Sequence, residues 1–328
     1  MTSKVPFELI GPTPKDAQSA ASLLLRRELP KSIGNLQQSA SRYVASDDLL
    51  AAINVALALG MPLLLTGEPG TGKTQVAYFI AHYFGIPRVH VLDVRSTTSA
   101  QDLLYEFDSV AYFHAAHRPQ EGTSELPRWR YVRKKALWLA IEDMVADRPS
   151  VVLIDEVDKA PRDFPNDILG ALDQTEFEVP EWDKPEDVAR DLAGQAPYRV
   201  RRPAGKLPPI VVITSNSERR LPEAFLRRCI FHQIEFSEEL LKRAIAARRD
   251  DFARLDDRTI DAAVRRFLQV RDKLSRKKPA TAELLGWLMV LSVQGSATAR
   301  DIADVPLAEL PHLCVLVKDR DDLQDLRR

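Results

Sequence analysis

Eight residues, "GEPGTGKT" from Gly67 to Thr74, set glycine, lysine and threonine at the spacing G-x-x-x-x-G-K-[ST]. Gly67, Gly70 and Gly72 let backbone N–H groups turn inward around phosphate oxygens, with Glu68, Pro69 and Thr71 completing the turn. A helix beginning at Lys73 would add its partial positive charge at the same place. Lys73 would reach the terminal phosphates of a nucleotide, and the Thr74 hydroxyl would ligate Mg²⁺.

A second group follows the apolar run Val151–Ile154, where "VVLIDEVDKA" ends a strand on Asp155 and Glu156. Carboxylates at the C-terminal edge of a parallel sheet stand where open α/β folds bind ligands. Asp155 would hold the magnesium shell, and Glu156 would orient and deprotonate an attacking water. Asp158 and Lys159 read as surface or intersubunit charges rather than catalytic ones. Another apolar strand, "IVVITSN", ends on Thr214, Ser215 and Asn216, and a polar side chain there could hydrogen-bond a γ-phosphate or the lytic water. A turn-initiating asparagine is the plainer alternative. Finally, "ERRLPEAFLRRCIF" carries Arg219, Arg220, Arg227 and Arg228, any of which could neutralise charge on a phosphoryl group or simply lie solvated on a helix.

These residues need a scaffold, and the pattern between them supplies one. "SDDLLAAINVALALG" reads as a helix capped by Ser46 and ended by Gly60. "PLLLTG", "RVHVLDV", "SVVLIDE" and "PIVVITSN" read as strands, several apolar throughout, as a parallel sheet covered on both faces requires. "KTQVAYFIAHYFG" and "RYVRKKALWLAIEDMV" read as the helices between them. The expected fold is therefore α/β: a three-layer αβα P-loop nucleotide-binding core. From Ser237 helical periodicity takes over in "SEELLKRAIAARR", "TIDAAVRRFLQVRDKL", "TAELLGWLMVLSV" and "PLAELPHLCVLV", giving a C-terminal helical lid domain. The expected division is an N-terminal extension at 1–40 with one helical piece at "AASLLLRREL", a core at 41–236, and the lid at 237–328. "WDKPEDVARDLAGQAPYRVRRPAGK" lacks a core pattern and reads as an exposed hairpin or insertion.

"GEPGTGKT", "LIDEVDKA", "VVITSN" and "LPEAFLRRC", in this order, resemble an AAA+ ATPase, and "DEVDKAP" with "LPEAFLRR" is similar to the MoxR branch. The resemblance implies a homo-oligomeric ring, usually a hexamer, with ATP between neighbours. It implies Asn216 as sensor 1 and a trans-acting arginine finger that aligns best with Arg228, with Arg227 close behind. It also implies a chaperone-like remodeller, often working with a partner that carries a von Willebrand factor A domain. The sequence departs from the pattern at "SRKKPATAELLGW", where Ala280 stands in place of a sensor 2 arginine. Lys277 or Lys278 could substitute, although an ammonium does not replace a bidentate guanidinium.

The remaining features bound the partners. Lys plus Arg number 46 and Asp plus Glu 47, so no net charge draws the chain to nucleic acid or anionic lipid. The two cysteines, Cys229 and Cys314, exclude a disulfide framework and fit a reducing compartment, so a cytoplasmic location is expected. No apolar run approaches the length of a membrane span. "PRWRYVRKKALW" could be a nucleic-acid groove with stacking aromatics, but reads better as an amphipathic helix with Tyr131, Leu137 and Trp138 inward. "FDSVAYFHAAHRPQEGTSELP", with His114 and His117, resembles the insertion that faces the ring pore in MoxR-like proteins, and a metal there is not expected. Absence of an N-K-x-D motif favours ATP over GTP. The rival reading is the energy-coupling motor of a nucleic-acid-processing or anti-phage defence complex.

Overall fold

A computed structural model describes residues 35–117, 128–174, 176–181, 199–295 and 297–327. The helical piece expected at "AASLLLRREL" lies outside them. The chain divides into two compact units, residues 45–68 with 73–235, and residues up to 44 with 69–72 and 236–328.

The first unit is built on five parallel strands: β1 (Leu63–Gly67), β2 (Val89–Asp93), β5 (Val151–Asp155), β8 (Ile210–Ser215) and β9 (Ile230–Ile234), in the order β2-β5-β8-β1-β9. The middle of the sheet is apolar on both faces. Leu63, Leu64 and Leu65 of β1, Val151 to Ile154 of β5 and Val212 and Ile213 of β8 are all buried, as strands covered by helices on each side must be. Helices α1 (Asp47–Leu59), α2 (Lys73–Tyr83), α4 (Ala136–Val145) and α5 (Phe164–Asp173) flank it, giving the expected α/β P-loop fold. Register carries the chemistry to one edge. Leu65 and Thr66 of β1 pair with Thr214 and Ser215 of β8, and Ile154 of β5 pairs with Ile213. The polar residues that end β1, β5 and β8 are therefore neighbours along the C-terminal edge.

Helix α1 is capped as its sequence predicts. The Ser46 side chain accepts from Leu49 N, and Gly60 closes the helix at φ +63°. The helix expected over "RYVRKKALWLAIEDMV" differs in its first third. Val132–Lys134 is a strand, β4, antiparallel to β3 (Tyr105–Phe107), and α4 starts only at Ala136. Glu106 stands opposite Arg133 in that strand pair, Phe107 opposite Val132, and Tyr105 opposite Lys134. Leu137 and Trp138 are buried as expected, whereas Tyr131 is half-buried, edge-on to Tyr112 of α3 (Ser109–Ala116). Two further strands, β6 (Glu176–Glu178) and β7 (Arg199–Arg201), pair antiparallel and flank residues 182–198, which lie outside the described residues. Of the stretch expected as a hairpin or insertion, Arg199–Arg201 is among the described residues, and it pairs with Glu176–Glu178 before that stretch.

The second unit is helical: α7 (Glu238–Ala247), α8 (Asp257–Lys273), α9 (Thr281–Gln294), α10 (Ala299–Ala303) and α11 (Arg320–Arg327), around a core that includes Phe252, Phe267, Trp287 and Leu288. The helix expected at "PLAELPHLCVLV" is absent. Two 3₁₀ turns, Leu307–Glu309 and Leu313–Val315, stand there instead. Pro311 is the cause: it cannot continue a helix, and it holds Leu310 extended at ψ 136°. Within the same unit Gly70 O accepts from Ala282 N at 3.1 Å. Ala280 is fully buried as the N-cap of α9, its N–H donated to Glu283. Lys277 and Lys278 are exposed on the loop before it.

Candidate functional site

The loop between β1 and α2 has the backbone its glycines allow. Gly67, Gly70 and Gly72 sit at φ +143°, +81° and +90°, values that side chains other than hydrogen rarely tolerate. Lys73 follows at the first position of α2, buried, with its ammonium donating to Gly67 O at 2.8 Å and Glu68 O at 2.9 Å. The ammonium is thus folded back into its own loop, held by two carbonyls that a phosphate oxygen can replace. Burial pulls the Lys73 pKa below its usual value, and the carboxylates of Asp158, Asp155, Glu156 and Glu68 oppose that shift in decreasing order.

Thr74, Asp155, Glu156, Thr214 and Asn216 form one hydrogen-bonded chain. The Thr74 hydroxyl donates to Asp155 at 2.9 Å, and the Thr214 hydroxyl donates to the same carboxylate at 2.6 Å. Thr214 also accepts the backbone N–H of Glu156 at 2.8 Å. Burial raises the Asp155 pKa, and the Thr214 and Thr74 hydrogen bonds partly offset the shift. A cation beside Asp155 would complete that offset, and a carboxylate with a hydroxyl is the hard-oxygen donor set that Mg²⁺ takes alongside nucleotide phosphates. Among the described residues no group of three or more His, Cys, Asp or Glu side chains could hold a metal ion.

Glu156 has a left-handed backbone, φ +60°, unusual for a residue with a side chain. Asn216 Nδ2 donates to its Oε1 at 2.9 Å, and Lys159 Nζ pairs with its Oε2. Both oxygens of the candidate base are thus engaged. Lys159 is exposed, as expected of a surface charge, and the Glu156 hydrogen bond is the main cause that raises its pKa.

Asp158 departs from the expectation of a surface charge. It is 3% exposed, and its carboxylate accepts from Asn216 N at 3.1 Å and Glu218 N at 2.9 Å. Sequence reasoning missed Asp158 and Thr214. Thr214 was in view as a strand-end residue, but nothing in its spacing marks it as the junction between Asp155 and Glu156.

The arginines lie outside this chain of hydrogen bonds. Arg227 caps the short helix α6 (Glu223–Leu226) and is 82% exposed, 3.9 Å from Glu223. Arg228 is 63% exposed and 3.8 Å from Asp173. Exposed pairs at such distances hold neither guanidinium firmly. Arg219 instead donates to Ala160 O.

Comparison with known proteins places the phosphate-loop core in a family. The model of the AAA domain, dynein-related subfamily, matches residues 62–229, a span that includes every member of the hydrogen-bonded chain. A solved structure of a proposed ATPase from Cytophaga hutchinsonii is similar at 12% identity over 89% of this chain and 92% of that one, with a TM-score of 0.36. That likeness is too weak to carry an argument. None of the curated proteins matches.

Proposed function

Since the chain belongs to the AAA domain family, dynein-related subfamily, we propose that it is a Mg²⁺-dependent ATPase of MoxR type, the motor of a homo-oligomeric ring that remodels a partner protein. One observation carries the ATPase reading. A single hydrogen-bonded chain joins Thr74, Asp155, Thr214, Glu156 and Asn216, with the Glu156 carboxylate held by its amide partner. The loop from Gly67 to Gly72, through Glu68, Pro69, Gly70 and Thr71, would cradle the phosphates with backbone N–H groups, and Lys73 would exchange its two carbonyl partners for phosphate oxygens. Thr74 and Asp155 would hold Mg²⁺, which supplies charge neutralisation for phosphoryl transfer. Glu156, in the acceptor position, would take the proton of the attacking water, and Asn216 would orient it. Arg228, or Arg227 beside it, would reach a neighbouring subunit's nucleotide, in keeping with exposed side chains weakly paired at home.

Remodelling of a partner, such as one with a von Willebrand factor A domain, rests on "DEVDKAP" and "LPEAFLRR". A second reading has its own observation. Around the β3–β4 pair, Arg128 lies over the rings of Phe107 and Tyr112 at 6.0 and 5.6 Å, Arg130 lies over Trp129, and Phe113 of α3 is exposed. Arginine and aromatic side chains together are the means of stacking single-stranded nucleic acid. Phosphate release from ATP, measured alone, with single-stranded DNA and with a von Willebrand factor A domain protein, separates the two. Stimulation by the protein alone supports remodelling, and stimulation by DNA alone supports the nucleic-acid motor. Absence of Mg²⁺-dependent release under all three conditions contradicts both.

A further inference from the structure

The buried Asp158 has no place in the reaction as described, yet its surroundings are specific. Its two oxygens receive the backbone N–H groups of Asn216 (3.3 and 3.1 Å) and Glu218 (2.9 Å). Between those donors Ser217 sits at φ +60°, a left-handed conformation that costs a residue with a Cβ on the order of 1 kcal/mol. The same turn is tied by Ser217 N donating to Ser215 Oγ at 3.0 Å. Two alternate N–H groups converging on one carboxylate, with a left-handed residue between them, make an anion-binding nest, here filled by the protein's own side chain. Strained backbone of this kind persists only where its surroundings hold it.

What the nest fixes is the direction of Asn216. Its amide must reach Glu156 Oε1, and it does so at 2.9 Å, from a strand end whose next residue is strained. Glu156 is strained as well, at φ +60°, and is held from the other side by Thr214. Two buried side chains thus pin the two halves of one contact: Thr214 the backbone of Glu156, Asp158 the backbone of Asn216.

We propose that Asp158 is a positioning residue for hydrolysis, holding the 216–218 turn so that Asn216 stays aimed at Glu156. The inference rests on the ATPase reading above. The hydrogen bonds of Asp158 go to the 216–218 turn, and it acts on Lys73 of the phosphate loop only through its charge, so its loss should slow turnover far more than it alters nucleotide binding. An asparagine at 158 keeps the volume but offers the two N–H donors one neutral amide oxygen in place of a carboxylate. Misplacement of a catalytic contact by about 1 Å can cost up to about a hundredfold in rate.

The test uses the full chain and ATP, with wild type and Glu156→Gln measured alongside. Asp158→Asn should lower kcat roughly ten- to a hundredfold while the Kd for ATP moves less than about threefold. If Asp158 acts through Asn216, Asp158→Asn should cost little more in an Asn216→Ala background, since residues that act as a unit are not additive. Glu218→Pro provides an independent variant should Asp158→Asn fail to fold. It removes one donor from the nest at an exposed position, leaves Asp158 in place, and should show the same loss of kcat and the same non-additivity. Wild-type turnover in Asp158→Asn or Glu218→Pro, or a loss fully additive with Asn216→Ala, overturns this inference alone, provided wild type hydrolyses ATP and Glu156→Gln does not. Absence of hydrolysis in wild type overturns the ATPase reading and this inference with it.

Discussion

Asp155 is where stability and chemistry pull in opposite directions. Its carboxylate is partly buried, and burial raises its pKa in the folded chain above the unfolded value of about 3.9. A carboxyl group shifted upward contributes stability only below its unfolded pKa, and that contribution is lost as pH rises through the folded pKa. At neutral pH the ionised Asp155 therefore costs stability. Asp155→Asn, measured without Mg²⁺ or nucleotide, should raise the Tm at pH 7 by a few degrees, at about 2–4 °C per kcal/mol, with a smaller gain near pH 4. It should also lose Mg²⁺-dependent hydrolysis. An unchanged or lowered Tm at pH 7 would contradict the burial argument. At this scale the sequence exposed the residues whose type and spacing are themselves the signal: the glycines, Lys73, Thr74, Asp155, Glu156 and Asn216. It hid Asp158 and Thr214, because nothing in "DEVDKA" or "VVITSN" says which polar side chain turns inward to hold its neighbours.

The elements that carry these residues were legible where local chemistry decides them. Ser46 and Gly60 bound α1 because one supplies an acceptor for Leu49 N and the other tolerates φ +63°. Ser46→Ala should cost about 1 kcal/mol and lower the Tm by about 2–4 °C, as thermal melts would show. Expectation and structure part company where a partner strand or a proline intervenes. "RYVRKK" carries helix-compatible lysines and arginines, but its strand β4 is fixed by pairing with Tyr105–Phe107, some thirty residues earlier. "PLAELPHLCVLV" has helical apolar spacing, and Pro311 still breaks it. Strand β9 carried no clear signal because its burial alternates at the edge of the sheet, whereas the central strands are apolar throughout.

For the whole molecule the proposal is a ring in which each site draws on two copies of the chain. Among the described residues no helix is long and apolar enough to cross a membrane. The exposed, weakly paired Arg228 is the residue expected to act in trans. Arg228→Ala should bind ATP yet hydrolyse it slowly, and mixing it with inactive Glu156→Gln should restore part of the activity, since some sites would combine an intact Glu156 with an intact neighbouring Arg228. Mixed oligomers that stay inactive would place the finger elsewhere, with Arg227 the next variant to mix. The most direct measurement of the central claim is single-site: ATP binding and Mg²⁺-dependent phosphate release by Glu156→Gln beside wild type. The account predicts binding within about threefold of wild type and turnover reduced at least about a hundredfold, as expected for loss of a general base. Hydrolysis by Glu156→Gln at the wild-type rate would contradict it.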